Sequence, residues 1–167
     1  MQKMFFDKLK FKKIDILSLL LILFFFAIDR VSKIFVINLI QSTGKEIYLT
    51  DYLNITLNWN TGIAFGLLSF NTSTIYHLIS ALILLLIVYL IYLMVLSDNF
   101  GKIIFSLIIG GAIGNLYDRL TFFSVPDFID FHINGYHWYT FNVSDIFISV
   151  GIFIMIIREL FLGKKNV

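Results

Sequence analysis

The sequence contains no cysteine and only one proline among its 167 residues. Without a thiol, the chain can form neither a disulfide bond nor a cysteine nucleophile. Charged residues make up only 14%, and a net charge of +2 gives no basis for binding nucleic acid. The three histidines form no His-Glu-x-x-His zinc motif, and no Gly-x-Ser-x-Gly elbow of a serine hydrolase is present. We interpret His132 and His137 as interfacial residues rather than metal ligands.

Apolar residues are abundant instead. The chain is 59% hydrophobic with a mean hydropathy of +0.89, whereas soluble domains are about 45–50% apolar. Four apolar runs, at 14–39, 75–96, 103–120 and 143–162, are each about long enough to cross a bilayer. The pattern predicts an all-α membrane protein, a four-transmembrane-helix bundle with a small periplasmic sheet, in one domain over 1–167.

Lysine and arginine are distributed unevenly between the two sides of this bundle. Because cytoplasmic loops carry the excess of positive charge, we expect both termini and the 97–102 link in the cytoplasm, and segments 41–74 and 121–142 outside. The residues assigned to the inner side are Lys3, Lys8, Lys10, Lys12, Lys13, Lys102, Arg158, Lys164 and Lys165, and those on the outer side are Arg30, Lys33, Lys45 and Arg119.

Both outer segments carry strand signals. Residues 54–60 alternate between polar and apolar, the period of a strand with one buried face. Asn134-Gly135 is a strong hairpin-turn dipeptide. Together they predict a small sheet at the membrane surface.

Polar residues of the apolar runs gather at one depth. At 1.5 Å per helical residue, Asp29, Asn115 and Arg119 lie roughly 22, 18 and 24 Å from the inner end of their runs. Asp127 and Asp145 flank the start of the last run. A charged side chain inside a span costs at least ~2.5 kcal/mol by insertion scales. This convergence predicts a functional site near the outer leaflet.

Asp127 and Asp145 are candidates for acid–base chemistry, since each stands among apolar residues. Two carboxylates that meet in a poorly solvated site share a proton. The ionised member can then activate water while the other protonates the substrate. The alternatives are an N-cap for Asp145 and a turn carboxylate for Asp127.

Other polar residues leave two interpretations open. Asp29 and Lys33 share a helix face at i, i+4. They form either an ion pair at the helix end or contacts to substrate or lipid. Residues 60–66 form an ordinary turn or a loop beside an extended substrate. Asn115 and Arg119 share a face, and a guanidinium at that depth needs a polar partner.

Three further residues of the third apolar run have structural interpretations. Gly110 and Gly114 provide a small-residue surface for close helix packing. Asp118, one position before Arg119, is as consistent with a structural cap as with any other role.

As a set, the motifs resemble the lipoprotein signal peptidases (type II signal peptidases), bacterial inner-membrane aspartyl proteases. The order and spacing of the motifs match over nearly the whole chain. They are Asp29-Arg30-Val31-Ser32-Lys33, Asn60-Thr61-Gly62-Ile63-Ala64-Phe65, Gly110-Gly111-Ala112-Ile113-Gly114-Asn115-Leu116-Tyr117-Asp118-Arg119, Asp127-Phe128-Ile129-Asp130 and Phe141-Asn142-Val143-Ser144-Asp145.

The resemblance implies a catalytic dyad of Asp127 and Asp145. It implies a substrate, a diacylglyceryl-modified prolipoprotein cut just before the lipidated cysteine, and inhibition by globomycin. No metal or organic cofactor is implied, and we expect a monomer among membrane lipids. The matching substrate-binding positions are Asn60, Gly62, Asn115, Arg119, Asn142, Asp29 and Lys33.

The sequence departs from the family pattern at three positions. Arg30 stands where glutamine is commoner, Pro126 precedes the first aspartate, and Ser144 replaces alanine. Competing hypotheses are a small transporter or ion-binding bundle and a non-catalytic membrane subunit. A transporter is expected to place ionisable groups near mid-membrane, unlike this chain.

Overall fold

The computed structural model describes residues 12–62 and 73–162, which form four helices and four strands. The elements are, in chain order, α1 (Lys13–Thr43), β1 (Ile47–Thr50), β2 (Leu53–Asn60), α2 (Ser73–Leu96), α3 (Asn99–Phe122), β3 (Val125–Ile133), β4 (Tyr136–Phe141) and α4 (Val143–Leu162).

Each predicted apolar run lies on one helix, but three helices are longer than their runs, α2 by only two residues. Helix α1 continues to Thr43, where Gly44 adopts a left-handed φ of 63° and donates to the Ile40 carbonyl. Glycine at this position is the usual helix C-terminus signal. Helix α3 begins at Asn99 because the Asp98 side chain accepts the Gly101 N–H at 2.9 Å. The apolar runs omitted these polar ends.

Helix α3 lies at the centre and contacts α1, α2 and α4. Its glycines allow α1 to approach closely, as the small-residue spacing predicts. A Cβ on Gly110 would lie 2.7 Å from the Phe25 Cβ and 3.0 Å from the Ile22 carbonyl oxygen. A Cβ on Gly114 would lie 2.5 Å from Asp29 Oδ2. Glycine at 114 therefore makes room for a buried carboxylate.

The outer faces of the helices are apolar. On α2, Leu78, Leu82 and Leu85 are 66–70% exposed, and patches of this kind mark a surface that faces something other than water. Among the described residues, Tyr76–Leu96 and Asn99–Phe122 are long and apolar enough to cross a membrane. The fold is thus mostly helical with two candidate spans by composition, where the sequence predicted four.

The two predicted outer segments combine into one antiparallel sheet with strand order β1-β2-β3-β4. The predicted strand 54–60 lies within β2, and the predicted turn connects β3 to β4. Asn134 and Gly135 have φ of 51° and 77°, as the two-residue hairpin turn requires. The sheet covers one end of the bundle, which we call the sheet end. The opposite end, at the 97–98 connection of α2 and α3, is the link end.

Candidate active site

Asp127 lies on the inner strand β3 and is only 2% exposed. Its Oδ1 accepts from Asn142 Nδ2 at 2.6 Å, and its Oδ2 accepts from Asn60 Nδ2 at 2.9 Å. Burial, together with the charge of Asp145, raises the pKa of Asp127 to about 6, although the two amide hydrogen bonds oppose the shift. The carboxyl can therefore hold or release a proton near neutral pH.

Asp145 lies in the first turn of α4 and is half-buried. Its Oδ1 accepts from Asn115 Nδ2 at 2.8 Å, and its Oδ2 accepts from the Asn142 backbone N–H at 3.1 Å. The Asn142 Oδ1 accepts in return from the Asp145 N–H at 3.2 Å. This reciprocal pair is a capping box, so Asn142 is the N-cap of α4 and Asp145 the third residue of the helix.

Asn142 joins the two carboxylates. It is fully buried, its side-chain amide donates to Asp127, and its backbone and Oδ1 bond Asp145. The start of α4 is thereby fixed to strand β3. Two carboxylates on one asparagine in a poorly solvated site suit the sharing of one proton.

Behind Asn115 lies a network of four charged side chains. Lys33 Nζ lies 3.0 Å from Asp29 Oδ1 and 2.7 Å from Asp118 Oδ2. Arg30 donates to both oxygens of Asp118, at 2.5 and 2.7 Å, and to Asp29 Oδ2 at 2.8 Å. The side chains of Asp29, Lys33 and Asp118 are at most 1% exposed. Two cations and two anions balance, as buried charges require.

This network reaches Asp145 through Asn115. Lys33 Nζ donates to Asn115 Oδ1 at 3.0 Å, which leaves the Asn115 amide nitrogen facing Asp145. Asp29 Oδ1 accepts from the backbone N–H of Ser144, at 3.1 Å, next to Asp145. The predicted Asp29–Lys33 ion pair is present, and it contacts the residues that position Asp145.

Arg119 contacts a turn rather than either carboxylate. Its Nη2 donates to the Gly62 carbonyl oxygen at 2.5 Å, while its Nη1 is buried and has no hydrogen-bond partner within residues 12–62 and 73–162. The Gly62 N–H in turn donates to Asn60 Oδ1 at 2.9 Å, an Asx-type turn. Since Asn60 bonds Asp127, Arg119 acts on that carboxylate through the turn. The sequence required a polar partner for this guanidinium, and among the described residues the Gly62 carbonyl oxygen provides one.

The two carboxylates line different cavities. Asp127 lines a cavity of about 350 Å³ with residues 58–62 and 137–140. Asp145 lines a cavity of about 410 Å³ whose other residues include Phe131, Phe141 and Val150. The first offers amides and hydroxyls, and the second is mostly apolar. Residues 63–66 of the predicted substrate loop lie outside the described residues.

Sequence reasoning missed two charged residues of the site, Asp118 and Arg30, of which Arg30 was noted only as a departure from the family pattern. Asp118 is the shared partner of Arg30 and Lys33. The available signal was depth, because Asp118 lies one residue from Arg119 and at about the same level as Arg30.

Fold and site together define a helical membrane enzyme with two carboxylates at one end of its bundle. The family model described as Signal peptidase (SPase) II matches residues 21–161. The chain is 48% identical over 151 residues to a lipoprotein signal peptidase of Pelagibacter ubique (strain HTCC1062), with 90% of this chain and 91% of that protein covered. It is 38% identical over 159 residues to a lipoprotein signal peptidase of Francisella tularensis subsp. novicida (strain U112), covering 92% and 95%.

A solved structure described as a bacterial membrane enzyme, determined by the in meso method, superposes with a TM-score of 0.68 at 32% identity. The superposition covers 90% of this chain and 92% of the chain of the solved structure. The chain belongs to the signal peptidase II family of aspartic peptidases. The predicted family, enzyme class and membrane location are confirmed, and the peptidase relatives favour this function over a transporter.

Proposed function

We propose that this protein removes the signal peptide from diacylglyceryl-modified prolipoproteins, cutting just before the lipidated cysteine, with Asp127 and Asp145 as its catalytic pair. The observation that carries the proposal is that Asn142 forms hydrogen bonds with both aspartates. The pKa of Asp127, raised to about 6, supports it, because one carboxyl of a proton-sharing pair must keep its proton well above its ordinary pKa.

In the proposed reaction the ionised carboxylate takes a proton from water as the water oxygen attacks the scissile carbonyl carbon. The protonated carboxyl gives its proton to the carbonyl oxygen. As the resulting gem-diol collapses and the C–N bond breaks, the carboxyl that received the water proton passes it to the leaving amine. One gem-diol hydroxyl returns its proton to the other carboxylate, which restores the starting state of the pair. Asn60, Asn115 and Asn142 hold the two carboxylates, while Asp29, Lys33, Gly62 and Arg119 position those amides and the turn.

The two cavities suit a lipid-modified peptide. Polar groups of residues 58–62 can pair with an extended peptide backbone next to Asp127. The apolar cavity beside Asp145 can bury hydrocarbon, which gains about 0.8 kcal/mol per CH₂. We infer that the scissile bond lies between these cavities.

We further propose a four-span topology in the bacterial inner membrane, with both termini cytoplasmic and the site near the outer leaflet. Its support is that the strands within residues 47–60 and 125–141, which belong to the two segments predicted outside, form one sheet at one end of the bundle. The protein works as a monomer in this proposal, since every residue assigned to the site belongs to one chain.

The absence of cysteine makes the topology testable by labelling. Tyr136→Cys at the sheet end and Phe100→Cys at the link end introduce single thiols at exposed positions. An impermeant reagent added outside intact cells should label position 136 and leave position 100 unlabelled. Labelling of position 100 alone would show that the protein has the opposite orientation in the membrane.

The function is tested with purified protein in lipid and a matched pair of substrates, one prolipoprotein with and one without the diacylglyceryl group. We expect signal-peptide release from the lipidated form, blocked by globomycin and unaffected by chelators. Equal cleavage of the unlipidated form would contradict the proposed substrate. Activity that EDTA abolishes and zinc restores would contradict the two-aspartate mechanism.

A further inference from the structure

The β3–β4 hairpin contains a second cluster of titratable side chains, Asp130, His132 and His137. The sequence interpretation treated both histidines as interfacial. In the fold, each of the three residues offers one ligand atom, and these atoms lie within 4.8 Å of one another.

Strand register explains this cluster. Asp130 and His132 are two residues apart on β3, so their side chains share one face of the sheet. His137 on β4 stands directly opposite His132. A register shift between Phe131 and His132 makes this pairing, because without it His132 would face Trp138.

The distances suit a small cation. Asp130 Oδ2 lies 2.7 Å from His137 Nδ1 and 3.6 Å from His132 Nδ1, and the two rings stack at 5.1 Å. Zn²⁺ with bonds of about 2.0–2.2 Å in tetrahedral geometry holds neighbouring ligand atoms roughly 3.3 Å apart. The two distances from Asp130 Oδ2 to the histidine nitrogens, 2.7 and 3.6 Å, lie on either side of this ligand–ligand separation.

Two buried polar atoms of this region also have no hydrogen-bond partner among the described residues. One is His132 Nδ1, in a residue only 9% exposed. The other is Asn54 Oδ1, whose residue pairs with Asp130 across β2 and β3 and thus shares its face. Buried polar atoms are rarely left unpaired, and an imidazole nitrogen and an amide oxygen are both atoms that can bind a cation.

We propose that Asp130, His132 and His137 form a binding site for a divalent transition-metal ion of the Zn²⁺ type, separate from the catalytic pair. Two imidazoles and one carboxylate suit zinc and its neighbours, whereas Mg²⁺ and Ca²⁺ prefer oxygen ligands alone. The His137 side chain is 58% exposed, which gives the ion a route of entry. Asp127 and Asp145 make their hydrogen bonds to asparagines elsewhere.

The bound ion would join β3 to β4 beyond their backbone ladder. A ligand that binds only the folded hairpin stabilises it by mass action. This metal site is independent of the proposed peptidase mechanism.

The test is a Zn²⁺ titration of the full chain without a histidine tag, freed of metal by chelator and followed with a competing chromophoric chelator. We expect one Zn²⁺ per chain, weaker binding at pH 5 as the imidazoles protonate, and no competition from Mg²⁺. The chain has no cysteine and only three histidines, so few other ligands can contribute.

His137→Gln is the decisive variant because that side chain is largely exposed and its loss should leave the fold intact. We expect its Zn²⁺ affinity to fall at least tenfold, while the matched control His77→Gln, which removes the one histidine outside the cluster, binds like the wild type. Absence of stoichiometric binding in the wild type, or equal affinity in His137→Gln and wild type, would overturn the proposal.

Discussion

The two ends of the helical bundle carry the same kinds of charged residue in different arrangements. At the sheet end, Asp29, Lys33 and Asp118 are at most 1% exposed and joined in one network with Arg30. At the link end, the ion pairs Asp15–Lys102 and Asp98–Arg158 each join two helix ends.

The link-end pair Asp98–Arg158 is the more exposed, with side chains at 59% and 29%, whereas Lys102 of the other pair is 8% exposed. Exposed pairs contribute only about 0–1 kcal/mol, whereas breaking a buried pair costs about 3–5 kcal/mol. The comparison indicates that charge at the link end closes the helix ends, while charge at the sheet end orients the amides around two carboxylates.

The largest effect is expected from Asp118→Asn. This change leaves Arg30 and Lys33 with a single full anion, Asp29, so folding stability should fall by about 3–5 kcal/mol. Loss of orientation at Asn115 should also lower cleavage. Thermal unfolding in detergent measures the stability and a cleavage assay measures the activity. If the variant were as stable as wild type, this network would contribute no more to stability than the link-end pairs do.

The next effect is the pH dependence that Asp127 gives to stability. Its pKa is raised from 3.8 to about 6, so the folded state binds more protons than the unfolded state between these values. The contribution of Asp127 to stability therefore falls as pH rises from about 4 to 6, by up to about 3 kcal/mol at 1.36 kcal/mol per pKa unit.

The difference in unfolding free energy between wild type and Asp127→Asn isolates this contribution. We expect it to shift in favour of the variant as pH rises through this window and to level off above it. A difference that is flat with pH would show that Asp127 titrates as it does in water.

Arg119→Lys should have a smaller effect on stability and a clear effect on cleavage. Lysine keeps the charge but loses the planar guanidinium, and with it the bond from Nη2 to the Gly62 carbonyl. A hydrogen bond to a charged group contributes about 1.5–3 kcal/mol, so cleavage should fall about tenfold or more while membrane insertion persists. Wild-type rates would show that the turn needs no support from Arg119.

The smallest effect is expected from Asp98→Asn at the link end. Asparagine is as good an N-cap as aspartate, so the change removes the charge facing Arg158 and keeps the bond to the Gly101 N–H. Stability should change by less than about 1 kcal/mol, with cleavage unaltered. A loss of activity in this variant would contradict the proposal that only the charges at the sheet end support cleavage.

The parts of the fold that depend on local pattern were predictable. Apolar runs located the four helices, alternation located β2, and Asn134-Gly135 located the hairpin. The common depth of Asp29, Asn115 and Arg119 followed from helical rise alone.

Partnerships that depend on helix rotation or strand register were not predictable in the same way. Asp118 and Arg119 are neighbours in sequence, yet one faces α1 and the other the turn at Gly62, since successive helical residues point about 100° apart. The pairing of His132 with His137 depends on a register shift that leaves no signal in composition. Asn142 was identified by the family motif, and its capping role required the geometry.

The central claim is that Asp127 and Asp145 act as one unit, and cleavage by their asparagine variants tests it most directly. Asp→Asn keeps the size of the side chain and removes the ionisable carboxyl. Purified Asp127→Asn, Asp145→Asn and the double variant, inserted in lipid, are compared with wild type and with Asp98→Asn as the matched control. Each single variant should lose nearly all cleavage, and the double variant should be little worse than either, because residues that act together are strongly non-additive. Substantial turnover by either single variant in a correctly inserted sample would contradict the two-aspartate mechanism.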